Sequence, residues 1–368
     1  MPGPAGRVLV YRDVLLPKSE LGFMRRQYLG FRTLQPAWIG RRVEPWLDTA
    51  VFPVGACLSG WRGLAFKQLG WAPDLSGLGG VIVHAQFGRG GALALPLAER
   101  LGLPLVVTFH GGDVTKDSHY RRLALFRLRM RRLAAYASAF VCVSEGVRAK
   151  LIERGLPGEK AVVLPIGTDL PDTAPREGPG EDVLFIGRFV EMKGLPVLIE
   201  AIRILRSQGC GARVVLIGDG PDRAAVTQAL SGVADVALRG WQSAEQVRAA
   251  LRRARVLVLP SVTARSGEAE GLPSVATEAM SEGVPVIASS EAGTAGLIAD
   301  GANGMVFASR DAAALAAAVA RLLNDPALAL RLGQAARQTV AAGFDAAVQS
   351  GRLERLLLSV IRKQELLF

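Results

Sequence analysis

Short apolar runs alternate with longer stretches of helical period along the whole chain. In the first half the runs fall at 7–11, 80–84, 104–109, 139–143 and 161–164. Their β-branched, aliphatic character, with helices between them, predicts a parallel, doubly wound sheet. The pattern then breaks at Leu-Pro-Asp-Thr-Ala-Pro-Arg-Glu-Gly-Pro-Gly-Glu-Asp, residues 170–182, which is rich in Pro and Gly and has no period. That is the composition of an interdomain linker. Alternation restarts with runs at 183–187, 213–218, 235–238, 256–260, 285–288 and 305–307. The expectation is an α/β protein with two Rossmann-like domains, 1–170 and 183–345, joined by a linker at 171–182. A final helix over 346–368 carries Leu353, Leu356, Leu357 and Val360 on one side.

Length and composition agree with two cores, since 368 residues that are 50% hydrophobic can bury more than one. Cys57, Cys142 and Cys210 are scattered, with no Cys-x-x-Cys pair and no clustered histidine, so neither a disulfide scaffold nor a structural zinc site is expected. The start of the chain lacks the pattern of a signal peptide, and the Ala-rich run at 312–320 is too short to span a bilayer. A cytoplasmic protein is the expectation. Charge changes the picture more: residues 1–170 hold 23 Lys+Arg against 12 Asp+Glu, whereas residues 171–368 hold 21 of each. The whole excess of +11 sits in the first half, which points to an anionic substrate, an anionic membrane or nucleic acid.

The chemistry concentrates in Glu270-Gly-Leu-Pro-Ser-Val-Ala-Thr-Glu278-Ala-Met-Ser-Glu-Gly-Val-Pro-Val-Ile287. Pro273 suits the first position of a helix, where its missing N–H costs nothing. A helix start there lets Gly271 and Leu272 present amides to a phosphate, while Glu278 lies far enough along to accept hydroxyl protons. Two carboxylates eight positions apart, followed by Ala-Met, a Gly and Pro-Val-Ile, are similar to the signature of glycosyltransferase family four, whose members are retaining enzymes of the GT-B fold. Thr108 to Thr115 and Pro260 to Ser289 resemble the exopolysaccharide, colanic-acid-type branch. The resemblance implies that the terminal helix crosses back to the first domain and that the two parallel sheets face a central cleft.

It also implies roles. Arg188 and Lys193 follow the strand that ends at Gly187, and in the family such cations neutralise the leaving diphosphate. Glu278 would take the ribose hydroxyls and Glu270 those of the donor sugar. His110, in Thr108-Phe-His-Gly-Gly-Asp113, would touch the donor sugar, with Asp113 as a lesser candidate. Trp241 stacks on the base or is buried in the core. His84 lines an acceptor pocket or packs, and Ser19-Glu20 stands where many relatives carry a Gly-rich loop. Catalytic residues are thus Arg188, Lys193, Glu270 and His110. Donor contacts are Glu278, Gly271, Leu272, Pro273, Gly187, Trp241 and Asp113, and acceptor contacts His84, Ser19 and Glu20.

No Asp-x-Asp triplet occurs, so fixed cations are expected to do the work of a metal, and no cofactor is expected. The partners implied are a nucleotide sugar, with a UDP- or GDP-hexose as donor, and a glycan or lipid-linked acceptor. Glycosylation of a small natural product, or a sugar-nucleotide epimerase of the same fold, remain alternatives. A dinucleotide oxidoreductase would need Gly-x-Gly-x-x-Gly after the first strand of a domain, which neither has. Nucleic-acid binding finds no recognised module. The basic stretch 118–133 predicts a helix with Leu123, Phe126, Met130 and Leu133 towards the core. Leu125 and Leu128 then lie among Arg121, Arg122, Arg129 and Arg132, a face suited to the inner, anionic surface of a membrane.

Overall fold

The computed structural model describes residues 6–15, 20–45, 47–116, 124–171, 178 and 180–366, without the side chains of 124 and 125. Ser19, Arg121, Arg122, Leu123, the side chain of Leu125 and linker residues 172–177 and 179 lie outside that set. The chain divides into two compact units, residues 1–167 with 346–368, and residues 168–345.

Among the described residues the first unit has nine strands: β1 (Gly6–Tyr11), β2 (Val14–Leu15), β3 (Leu34–Gly40), β4 (Arg42–Val43), β5 (Val54–Cys57), β6 (Gly80–Gln86), β7 (Leu105–Phe109), β8 (Ala139–Cys142) and β9 (Ala161–Val163). Seven form one sheet in the order β5-β3-β1-β6-β7-β8-β9, every described pairing parallel, and β2 pairs with β4. Strand β7 is buried at all five positions, as a strand covered on both faces must be. Sequence reasoning overlooked β3, because Pro36 lies inside it and proline argues against an interior strand. At Pro36 only β1 is alongside, since pairing with β5 begins at Trp38, so the missing N–H breaks no ladder there.

Its helices are α1 (Leu21–Tyr28), α2 (Gly60–Leu69), α3 (Gly88–Leu101), α4 (Gly112–Thr115), α5 (Ala124–Tyr136) and α6 (Glu145–Glu153). The second unit contains β10 (Asp182–Ile186), β11 (Val214–Ile217), β12 (Val236–Leu238), β13 (Ala254–Leu259), β14 (Val286–Ser289) and β15 (Met305–Phe307), ordered β12-β11-β10-β13-β14-β15 and parallel throughout. Helices α7 (Leu195–Ser207), α8 (Arg223–Ala229), α9 (Ala244–Arg253), α10 (Ser274–Ser281), α11 (Ala312–Asn324) and α12 (Pro326–Gly343) cover both faces, giving two buried clusters, one on each side of the sheet.

The last helix, α13 (Ala346–Glu365), belongs to the first unit. Leu353, Leu357 and Val360 join the core under β1, β6 and β7, while Leu356 is only partly buried. The Glu354 carboxylate accepts the backbone N–H groups of Arg32, Thr33 and Leu34 at 2.7–3.0 Å, and Ser350 accepts from Gly30 N and donates to Gln27 O. Among the described residues no single helix is long and apolar enough to cross a membrane.

Candidate active site

In each sheet the strand order reverses direction once, between β1 and β6 and between β10 and β13. Crevices beyond the carboxyl ends of such strand pairs are where open α/β sheets take ligands. Both are furnished with charge.

In the second unit the chain leaves β10 through Gly187 and Arg188, makes a 3-10 turn at Glu191–Lys193 and enters α7. Lys193 Nζ lies 2.5 Å from Glu270 Oε1, with only 16% and 9% of the two side chains exposed. Ser261, just past β13, donates to the same carboxylate oxygen at 3.3 Å. Two glycines make this approach possible. Gly194 has φ +65°, and a Cβ there would collide with the Pro260 carbonyl; Gly293 has φ +70° and abuts the backbone and Cβ of Glu270. Met192 O accepts the Val262 N–H, which stitches the 3-10 turn to the segment after β13. Arg188 is exposed and has no hydrogen bond or ion pair among the described residues. Nearby, the backbone N–H of Thr263 holds the Glu291 carboxyl below its usual range.

Helix α10 starts one residue later than expected, with Pro273 as its N-cap and not its first turn. Gly271 and Pro273 are buried, Leu272 and Glu278 half-buried. Trp241 is 60% exposed after β12, so core burial does not account for it. The Gly218-Asp219-Gly220 turn is structural: Gly218 N–H donates to Gly240 O and Phe189 N–H to Asp219 O.

In the first unit Arg12, directly after β1, forms a two-toothed ion pair with Glu20 at 2.6 and 2.8 Å. Its guanidinium carbon lies 4.4 Å from the centre of the Phe87 ring, and the other neighbour of that ring is His110, also at 4.4 Å. Phe87, between β6 and α3, has φ +67°, a conformation that costs a non-glycine residue about 1–3 kcal/mol and persists where surroundings enforce it. Behind it runs a hydrogen-bonded chain. Gln86 accepts from His110 Nε2 at 2.9 Å and donates to the Tyr28 hydroxyl at 2.6 Å. Tyr28 lies 2.7 Å from His84 Nδ1, and His84 Nε2 lies 2.7 Å from Thr108 Oγ1. Because the amide oxygen of Gln86 can only accept, His110 carries its proton on Nε2 and keeps a lone pair on Nδ1. Tyr28 then donates to His84, and His84 to Thr108. Burial holds both imidazoles neutral, with pKa values lowered to about 3.

Two of the expected contact residues are engaged inside the protein. His84 is fully buried with both ring nitrogens engaged, which fits the packing alternative of its two readings. Asp113 accepts the N–H groups of Gly88, His110 and Gly111, fixing the loop around His110, and burial raises its pKa against their pull. Sequence reasoning also missed Arg12, Gln86, Tyr28 and Ser261. The signal available was position, each lying in or just beyond a strand end or packed behind one.

Two Rossmann-like units, each with charged groups at its strand reversal, are the architecture of the GT-B class, and likeness to known proteins adds the activity. The model of the group 1 glycosyl transferases matches residues 171–339, and that of the glycosyl transferase 4-like domain residues 13–167. The chain is 33% identical over 288 residues to the amylovoran biosynthesis glycosyltransferase AmsK of Erwinia amylovora, covering 75% of this chain and 69% of that protein. It is 32% identical to a GDP-mannose-dependent phosphatidylinositol monomannoside mannosyltransferase of Mycolicibacterium smegmatis, over 74% of this chain and 75% of that one. In fold it is similar to Anabaena Alr3699/HepE, solved in complex with UDP, at TM-score 0.78 and 18% identity over 96% of this chain and 100% of that one. The chain belongs to glycosyltransferase family four.

Proposed function

We propose that the protein moves a hexose from a UDP- or GDP-sugar to a glycan or lipid-linked acceptor in cell-surface polysaccharide synthesis, with retention at the anomeric carbon. The observation that carries this reading is the Lys193–Glu270–Ser261 cluster at the β10/β13 reversal. A lysine held against a carboxylate is neutralised until a diphosphate arrives. It then supplies positive charge to the leaving group without crossing solvent, an electrostatic task suited to a preorganised donor. Arg188, without a hydrogen bond or ion pair among the described residues, adds a second cation. Glu270, relieved of part of its partner, accepts sugar hydroxyls, and Glu278 the ribose hydroxyls. In the first domain His110 offers the Nδ1 lone pair to a sugar hydroxyl, because Gln86 has fixed its tautomer.

Metal independence belongs to the same proposal, as does the absence of a cofactor. The support is the set of cations just described and the lack of an Asp-x-Asp triplet. The names of AmsK and of the colanic acid glycosyltransferase WcaL of Salmonella typhimurium, 30% identical over 75% of this chain and 70% of that one, support the polysaccharide setting. We further place the enzyme at the inner face of the cell membrane, held there peripherally through its basic first domain. Thermal shift with UDP and GDP tests the donor reading: stabilisation by one of them, surviving excess EDTA, is expected. No shift with either nucleotide would sink the reading.

A further inference from the structure

The helix face expected to meet a membrane is largely committed elsewhere. Arg129 donates to Lys67 O and Gln68 O at 2.8 and 3.0 Å, closing the end of α2, and Arg132 pairs with Glu99 at 2.8 Å. Helix α2, to which Arg129 leads, shows the opposite of what a surface helix should. Its inner face buries Gly63 and Phe66, while its outer face carries Trp61, Leu64 and Leu69, exposed by 69%, 58% and 82%. At 100° per residue these three fall with Ala65 and Gln68 on one continuous side. Leu128, the neighbour of the bridging Arg129, is 55% exposed. Large apolar side chains gathered this way mark an interaction surface.

We infer that the outer face of α2 is the surface by which the first domain inserts into an anionic lipid interface, Trp61, Leu64 and Leu69 entering the headgroup region. This deepens the membrane placement proposed above and rests on it. The charge around the patch selects the occupant. Neither α2 nor α5 contains an acidic residue, and together they carry Arg62, Lys67, Arg127, Arg129, Arg131 and Arg132. Arg62 packs its guanidinium 5.8 Å from the Trp61 ring, beside Trp71 at 5.9 Å, which sets a cation next to an amphipathic aromatic. An apolar stripe of Trp and Leu with Arg62 beside it and Arg129 bonded to the end of its helix, in a pair of helices that carry basic residues and no acidic one, is the chemistry of an interfacial surface.

The test is flotation of the full chain with vesicles of phosphatidylcholine alone and of phosphatidylcholine with 30% phosphatidylglycerol, composition being an experimental choice of about physiological anionic content. Flotation with the anionic vesicles only is expected. The Trp61→Ser, Leu64→Ser, Leu69→Ser triple variant should lower that partitioning at least about tenfold. Arg127→Glu with Arg131→Glu, both exposed positions, should lower it as well and reduce its salt dependence. Retained flotation of the triple variant would overturn the assignment of α2 while leaving another docking face. Absence of flotation in the unaltered protein, or a dimer in light scattering that the triple variant disperses, would overturn the lipid occupant. UDP and GDP thermal shifts run on the same samples report folding and donor binding separately. A nucleotide shift kept by a protein that does not float removes this inference alone. Flotation without any nucleotide shift removes the donor reading alone.

Discussion

Lys193 and Arg188 face the same proposed task with different structural debts, and this separates their variants. Replacing either with alanine should cost about two orders of magnitude in kcat, as loss of a transition-state donor does. Lys193→Ala also leaves the nearly buried Glu270 carboxylate with Ser261 as its remaining donor among the described residues, at a cost of roughly 1–3 kcal/mol in stability. Arg188→Ala should leave the melting temperature unchanged, because the side chain is exposed and has no partner among the described residues. Equal destabilisation of the two would contradict the geometry. The histidines give a pH prediction. His84 and His110 bind no proton in the native state until about pH 3, whereas the unfolded chain binds one on each below about 6.5. The unfolded state therefore holds more protons between those limits, and stability falls as pH falls through that window. The slope due to the two approaches about 2.7 kcal/mol per pH unit. Denaturant titrations at pH 7, 6 and 5 measure it. Activity should show no limb from His110 titrating near 6.5.

At the level of elements, α13 and α1 hold each other through groups rather than area alone. Glu354 takes three backbone N–H groups where the chain passes from α1 into β3, so Glu354→Leu strands them; a loss of roughly 2–4 kcal/mol in unfolding free energy is expected, read by chemical denaturation. Glu354→Gln, which keeps one acceptor oxygen, should recover part of it. Strands covered on both faces, such as β7 and β13, were legible because burial leaves a nearly continuous apolar run, interrupted only by Thr108 in one and Arg255 in the other. Strand β3 was not, since Pro36 reads as a breaker and its tolerance depends on where β5 begins. Motif spacing located Glu270 and Lys193, which the fold brings together; it could not reveal Ser261, an ordinary serine made relevant by standing past a particular strand end. The Gln86 to Thr108 chain was illegible for the same reason, its members being drawn from α1, β6 and β7. On α5 the helical wheel identified arginines without showing that two of them already had partners.

For the molecule as a whole, two sheets of one topology repeat a single solution, a central parallel layer whose strand order reverses beside a charged crevice. The first unit is discontinuous, and its core includes side chains from α13. Removing residues 346–368 should therefore unfold or aggregate that unit while leaving 168–345 protected, which limited proteolysis with mass spectrometry would resolve. Loss of protection in both units alike would show that they do not fold independently.

That discontinuity also sets the order of events during synthesis. Domains ordinarily fold from the N-terminus as they emerge, at about 5–20 residues per second. Here residues 168–345 must be made before α13 exists, so the nascent first domain waits roughly 10–40 s with the seat of Leu353 and Leu357 uncovered and Arg32, Thr33 and Leu34 without their carboxylate. For that interval the later-made domain is the one able to finish first, and the earlier one presents an apolar surface that a ribosome-associated chaperone would bind.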